Sequence, residues 1–165
     1  MDVDVLGGKD NLTDVNAVIG LQQLKQLPNY QIRRAALARQ YFDAIRNELK
    51  SAGLENLKLE LPVKNFTESN WHMFQVVLPL DQLNCDRAQV MTELKDLGIG
   101  TGVHYPAITG FTLYKEQGYK TSDTPIAERI GRSILTLPLF PGMADEDIGR
   151  IASGLVRILK NHRKN

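Results

Sequence analysis

Apolar residues recur at helical spacing through the first third of the chain. A helix is predicted to begin at Asn11, a good N-cap residue, with Asp14 in its first turn. Pro28 is expected to break or kink this run and to start a second helix, because proline lacks a backbone N–H but suits a first helical turn. The second helix carries an apolar stripe to about Ser51, and Gly53 is expected to end it.

The first of these helices has little polar surface. Its apolar positions are Leu12, Val15, Val18, Ile19, Leu21 and Leu24. A short helix that is apolar over most of its circumference is typical of a segment that is covered on several sides. We therefore expect it to pack against something beyond its own domain.

The remainder of the chain alternates between strand and helix patterns. The predicted elements are a short strand over 57–61, a strand over 71–78 (WHMFQVVL), a helix capped by Asn84 or Asp86 and ended by Gly98, a strand over 99–105, a loop-rich excursion over 107–122, a helix from Ser122 or Asp123 to about Gly131, a strand over 133–136 and a helix from Asp145 to Asn161. The order is α α β β α β α β α. It predicts one α+β domain over 1–165, with linking helices over 11–52 on a body over 54–165 whose small sheet is mainly antiparallel.

Composition and charge narrow the function classes. The chain has 165 residues, 24% of them charged, and a net charge of +1, so no strong field favours nucleic acid or an anionic membrane. No apolar run approaches 18 residues, and the short acidic start is unlike a signal peptide. These features predict a soluble cytoplasmic protein.

Cysteine and histidine usage argues against metal and disulfide chemistry. The single cysteine, Cys85, excludes an internal disulfide. Its place at a predicted helix start could lower its thiol pKa, but no catalytic partner is evident and a structural or incidental role is favoured. The histidines at 72, 104 and 162 lack metal-ligand spacing, so no metal site is expected. His72 and Trp71 lie in a predicted strand, where we expect a structural histidine and a packed indole.

The stretch GIGTGVHYP, residues 98–106, combines backbone constraint with two polar rings. Strand alternation should point His104 and Tyr105 to opposite faces. The His104 imidazole could donate a hydrogen bond to a phosphate or a sugar hydroxyl. The alternative is a satisfied polar residue at a strand end.

A second stretch, GGKDN at residues 7–11, leads into the first predicted helix. Free N–H groups at a helix start, together with Lys9 and Asn11, could hold a phosphate. The alternative is an ordinary capped helix. Neither glycine-rich stretch has the spacing of a phosphate-binding loop or a dinucleotide fingerprint.

Several blocks of the chain resemble one family. GGKDNLTDVNAVIGLQQLKQL with RRAALARQYFDAI, then WHMFQVVLP, GIGTGVHYP and ILTLPLFPGMADEDI, occur in the order and at the spacing of the DegT/StrS family. These are pyridoxal-phosphate-dependent aminotransferases that act on nucleotide-linked keto-sugars. The resemblance covers essentially the whole chain. The K-x-N-L-T-D form of the first block is most similar to members that make amino-arabinose for lipopolysaccharide.

The resemblance implies the small C-terminal domain of the type I aminotransferase fold, without the large cofactor-binding domain and its Schiff-base lysine. No lysine here matches that lysine, so no catalytic residue is expected and the chain should be inactive alone. Asn11 would reach the cofactor phosphate of a neighbouring subunit. His104 and Tyr105 would bind substrate, although Thr109 stands where many members have a second histidine.

The implied partners are a second copy in a homodimer or a large domain, and the implied ligand is a nucleotide-sugar. One alternative is a non-catalytic interaction or self-association module that uses the apolar first helix. Another is a nucleotide-sugar-binding regulator, which would rest on His104 and Tyr105 alone.

Overall fold

The computed structural model describes residues 11–164. Over that range the elements are α1 (Asp14–Ser51), β1 (Phe74–Val77), α2 (Arg87–Asp96), α3 (Thr112–Glu116), α4 (Pro125–Ser133), β2 (Ile134–Leu137) and α5 (Asp145–Asn161). Short 3-10 turns lie at Leu80–Gln82, Ile108–Gly110 and Thr121–Asp123. The predicted α+β class is confirmed, with a long N-terminal helix and a small antiparallel sheet.

The two helices predicted before Ser51 are one helix of 38 residues. Pro28 lies inside α1, where it removes the bond to the Leu24 carbonyl at a typical cost of about 3 kcal/mol. The helix continues past it, and its C-terminal half is held by the core. The prediction that Pro28 separates two helices was wrong, since the loss of one backbone hydrogen bond does not interrupt the helix on either side of the proline.

The ends of α1 are set by local chemistry. Thr13, not Asn11, is the cap: its hydroxyl accepts a hydrogen bond from the Asn16 amide at 3.3 Å. The predicted Asn11 cap was therefore wrong. At the other end Gly53 has φ +69° and follows the last residues of the helix, as predicted. Glycine is favoured there because a side chain would clash in this left-handed conformation.

The sheet has two antiparallel strands within residues 11–164. Phe74 pairs with Leu137 and Gln75 pairs with Thr136. The strands predicted over 57–61 and 99–105 are each reduced to a single bridge, Glu60 to Val77 and Gly102 to Thr136. Residue alternation alone does not make a strand, because a strand also needs a partner along its length.

The core lies between the inner face of the sheet, α5 and the C-terminal half of α1. The Phe74 ring lies 4.7 Å from Tyr41 and 5.2 Å from Phe42 between ring centroids. Trp71 completes this aromatic cluster and is 3% exposed, which confirms its predicted packing role. Helix α5 spans the residues predicted for it and buries its apolar face against α1.

Helix α2 has the predicted caps. The Asp86 side chain accepts from the Gln89 amide at 2.9 Å, and Gly98 has φ +69° just beyond the last turn. These local stop signals place the GIGTGVHYP stretch immediately after α2.

The N-terminal half of α1 extends away from the core. We call residues 12–32 the apolar arm. More than a third of each of eight apolar side chains in it is exposed: Leu12, Val15, Val18, Ile19, Leu21, Leu24, Leu27 and Ile32. That this arm packs against something outside the domain stays a prediction. Over the residues described, no helix is long and apolar enough to span a bilayer.

Candidate functional site

The outer face of the sheet carries a cross-strand polar pair. Gln75 and Thr136 lie opposite each other on β1 and β2, and each is the one polar residue of its strand. Gly102 forms an isolated antiparallel bridge to Thr136 of β2. The Gly102 N–H donates to the Thr136 carbonyl at 3.1 Å, and the Thr136 N–H donates to the Gly102 carbonyl at 2.8 Å. The chain beyond Gly102 therefore lies over this polar pair.

His104 is held at three points on this face. The Thr136 hydroxyl oxygen lies 2.9 Å from the imidazole Nδ1, and the Gln75 side-chain amide donates to the His104 carbonyl. The ring lies against Gly102, where an added Cβ would be 2.6 Å from His104 Cε1. Such a distance is too short for a real contact, so glycine is required for this ring position.

Tyr105 lies beside His104 and does not face the opposite side. The two ring centroids are 5.1 Å apart with an interplanar angle of 87°, an edge-to-face contact. The predicted alternation was wrong because residues beyond Gly102 are not in a paired strand. Tyr105 is 69% exposed, so the two rings form one surface that a ligand can reach.

Thr109 does not extend this surface. It is buried, and its hydroxyl lies 3.0 Å from the hydroxyl of Thr124. The structure therefore gives Thr109 a packing role where the resemblance implied a position for substrate contact. The candidate ligand surface is limited to His104 and Tyr105.

Asn11 lies apart from this surface along the sequence, just before the cap of α1. It is exposed. Lys9 and the rest of the GGKDN stretch before Asn11 lie outside the described residues, so the predicted phosphate loop is only partly described. Asp14 in the first turn of α1 adds a negative charge there.

The loop that follows β2 is fastened to α1. The Tyr41 hydroxyl donates to the Pro138 carbonyl at 2.7 Å, and burial raises the pKa of this phenol well above its ordinary value. Arg33 donates to the Met143 carbonyl at 2.6 Å and pairs with Asp145 at 2.7 Å. Hydrogen bonds to Asp145, first from Arg33, lower the pKa of that carboxyl.

Cys85 and His72 carry no evident chemistry. Burial, and then the nearby Glu93 and Asp86, raise the pKa of the Cys85 thiol, so the predicted lowering at a helix start was wrong. The His72 ring is exposed and lies 3.2 Å from the Asn70 side-chain oxygen. Over residues 11–164, no cluster of His, Cys, Asp and Glu is arranged to hold a metal ion.

Sequence reasoning missed Gln75, Gly102 and Thr136. A signal was present in the strands, since FQVV and ILTL each contain a single polar residue among apolar ones. A polar residue in a short buried strand indicates a specific partner, because an unpaired polar group there is costly. The partner itself is 32 residues away from Thr136 along the chain, and no local pattern identifies it.

The fold, a small two-stranded sheet packed on a long helix, matches solved structures that include aminotransferases. PseC from Helicobacter pylori, an aminotransferase involved in pseudoaminic acid biosynthesis, shares the fold with TM-score 0.79 and 22% identity, over 97% of this chain and 41% of that chain. DesV from S. venezuelae matches with TM-score 0.76 and 25% identity, over 98% of this chain and 40% of that chain. The pyridoxal-phosphate form of Spr1654 from Streptococcus pneumoniae, named as a sugar aminotransferase, matches with TM-score 0.79 and 24% identity. The match covers 97% of this chain and 39% of that chain.

The fold is thus that of part of an aminotransferase. The chain belongs to the DegT/DnrJ/EryC1/StrS aminotransferase family, whose sequence model matches residues 1–156. It spans about 40% of the length of the three solved proteins named above. The predicted family is confirmed.

Proposed function

We propose that this chain is the C-terminal, substrate-covering part of a pyridoxal-phosphate-dependent aminotransferase acting on nucleotide-linked keto-sugars. The observation that carries the proposal is the coverage: nearly all of this chain follows the fold of PseC, yet it spans 41% of the PseC chain. PseC is involved in pseudoaminic acid biosynthesis. We therefore infer a cytoplasmic role in making amino sugars for cell-surface polysaccharides.

The cofactor would be held mainly by another, lysine-bearing segment. Pyridoxal phosphate supplies the electron sink for amino-group transfer, and it needs a lysine partner and a carboxylate at its pyridine nitrogen. Of the described residues near the start of α1, Asn11 offers an amide donor suited to a phosphate oxygen. Residues 11–24 contain no cationic side chain, and Asp14 disfavours an anion. We infer one phosphate contact from Asn11, to the cofactor of a neighbouring subunit, and no activity for the chain alone.

His104 and Tyr105 would bind the substrate and would not perform the chemistry. His104 is fixed by Gln75 and Thr136, so its orientation is set before a ligand arrives. Tyr105 presents an exposed ring and a hydroxyl beside it. A preorganised donor next to an apolar ring suits the hydroxyl and phosphate oxygens of a nucleotide-sugar.

The apolar arm supports docking on a large domain. Val15, Val18, Leu21, Leu24 and Leu27 are three residues apart, and each step turns the helix by about 300°. These five side chains therefore sweep roughly 240° of the helix circumference. A second helix packed on one side would cover only part of this surface, whereas a groove in a larger domain would cover most of it.

Self-association through the same arm is the second candidate, and its exposed apolar side chains favour it. The chain would then be an interaction module without catalysis. Sedimentation of the purified chain between micromolar and millimolar concentrations distinguishes self-association from docking on a large domain. A concentration-dependent dimer that Leu24→Glu abolishes supports self-association. A monomer at all concentrations contradicts it.

Titration with UDP-glucose and dTDP-glucose tests the substrate class. We expect millimolar or tighter binding by calorimetry, weakened by His104→Gln and by Tyr105→Ala, with His72→Gln as a matched control on an exposed histidine. Absence of binding to both nucleotides would refute the substrate proposal. Borohydride reduction with pyridoxal phosphate, followed by mass spectrometry, tests the cofactor proposal, and a single modified lysine formed at stoichiometric cofactor would contradict it.

A further inference from the structure

The hydrogen bonding of Thr136 determines which nitrogen of His104 carries the proton. Thr136 is 8% exposed, and its hydroxyl lies within hydrogen-bond distance of one group among the described residues, the His104 Nδ1 at 2.9 Å. Two arrangements are available: the hydroxyl donates to Nδ1, or Nδ1–H donates to the hydroxyl.

The two arrangements differ in which group is left unpaired. If Nδ1–H were the donor, the hydroxyl hydrogen of the buried residue Thr136 would have no acceptor within residues 11–164. If the hydroxyl donates, its hydrogen is satisfied and only an acceptor lone pair is left over, which costs less. The His104 Nδ1 then accepts the hydrogen bond from the Thr136 hydroxyl, and the proton of the neutral ring is on Nε2.

The Nε2 atom is open to a ligand. Within residues 11–164 it has no hydrogen-bond partner, and it is not among the buried unpaired side-chain atoms, which are Arg34 Nε and Trp71 Nε1. Gly102 leaves space for the ring, and the Gln75 amide holds the His104 carbonyl. The ring therefore has one fixed nitrogen and one accessible nitrogen.

We propose that Thr136 is a positioning residue that fixes neutral His104 with its proton on Nε2, so that His104 donates a hydrogen bond to an acceptor oxygen of the ligand. The inference rests on the proposed function only for the identity of that ligand. Gly102 is the second positioning residue, because it admits the ring to the Thr136 hydroxyl.

Long-range proton–nitrogen NMR spectra of the full chain test the proton position without any ligand. In spectra recorded at about pH 8.5, we expect a protonated Nε2 and an accepting Nδ1 for His104, assigned by the loss of its signals in His104→Asn. A protonated Nδ1 would overturn the proposal. Thr136→Val should shift the Nδ1 signal and Thr136→Ser should restore it. Unchanged signals in Thr136→Val would also refute it.

A glycine pair provides the matched control. Gly102→Ala places a Cβ 2.6 Å from the His104 ring, whereas Gly100→Ala meets no atom within 4 Å. We expect Gly102→Ala to change the His104 signals as Thr136→Val does and Gly100→Ala to leave them unchanged. Equal effects of the two alanines would contradict the role of Gly102.

Addition of UDP-glucose separates this inference from the proposed function. We expect the Nε2-bound proton signal of His104 to shift on binding. Thr136→Val should weaken binding by roughly 2- to 12-fold, the ratio expected for one hydrogen bond. If UDP-glucose leaves His104 unperturbed while Nε2 is protonated, the substrate proposal fails and the positioning role of Thr136 stands.

Discussion

Helix α1 contains one leucine in the core and another in the exposed apolar arm, so the same leucine-to-alanine substitution can be compared in a buried and an exposed position. Leu37 is 0% exposed in the core, and Leu24, further toward the start of the same helix, is 63% exposed in the apolar arm. Leu37→Ala and Leu24→Ala remove the same atoms from the same type of backbone. Helix propensity changes little in either case, because leucine and alanine are both good helix formers.

The magnitudes follow from burial. Leu37→Ala loses the transfer free energy of its buried carbons and leaves a cavity, so we expect the free energy of unfolding to fall by about 2–5 kcal/mol. Leu24→Ala should change it by less than about 0.5 kcal/mol, since the side chain has few contacts to lose. For a chain of this size, 1 kcal/mol corresponds to roughly 2–4 °C in melting temperature.

Urea unfolding followed by circular dichroism measures both values. A loss above about 1 kcal/mol in Leu24→Ala would refute the reasoning that the arm is unpartnered in the isolated chain. Repeating the measurement at two protein concentrations identifies the cause, because self-association makes stability depend on concentration. If the arm docks on a large domain, Leu24→Ala should instead weaken that docking by about 1–2 kcal/mol, in proportion to its exposed fraction.

Three further outcomes follow from the structure. Tyr41→Phe leaves the Pro138 carbonyl without its donor and should cost about 1–3 kcal/mol in urea unfolding; no change would mean that water replaces the phenol. Asp145→Asn should lower stability at about pH 6. This effect should disappear as the pH falls below about 4, because the pair with Arg33 lowers the Asp145 pKa and stabilises only the ionised carboxylate. Melting curves that differ equally at about pH 6 and at a pH below about 4 would contradict this prediction. Cys85 should react with iodoacetamide more slowly in the folded chain than in urea at pH 8, because its pKa is raised; faster reaction when folded would refute this.

The sequence predicted part of the candidate site. It singled out His104 and Tyr105, and the structure places them together at the sheet edge. It missed the residues that hold them, and it put the two rings on opposite faces by extending a strand beyond Gly102. Two of the holding residues, Gln75 and Thr136, lie about 30 positions from His104 in either direction, so periodicity within a short window carries no information about them.

Signals that act over a few residues determined the elements from sequence alone. The Asp86 cap, the positive φ at Gly53 and Gly98, and the apolar period of α5 each depend on groups within one or two turns. The tertiary structure alone decided that two predicted strands shrink to single bridges and that the His104 ring meets the Thr136 hydroxyl. Those outcomes depend on partners distant in sequence, and only folding brings such partners into contact.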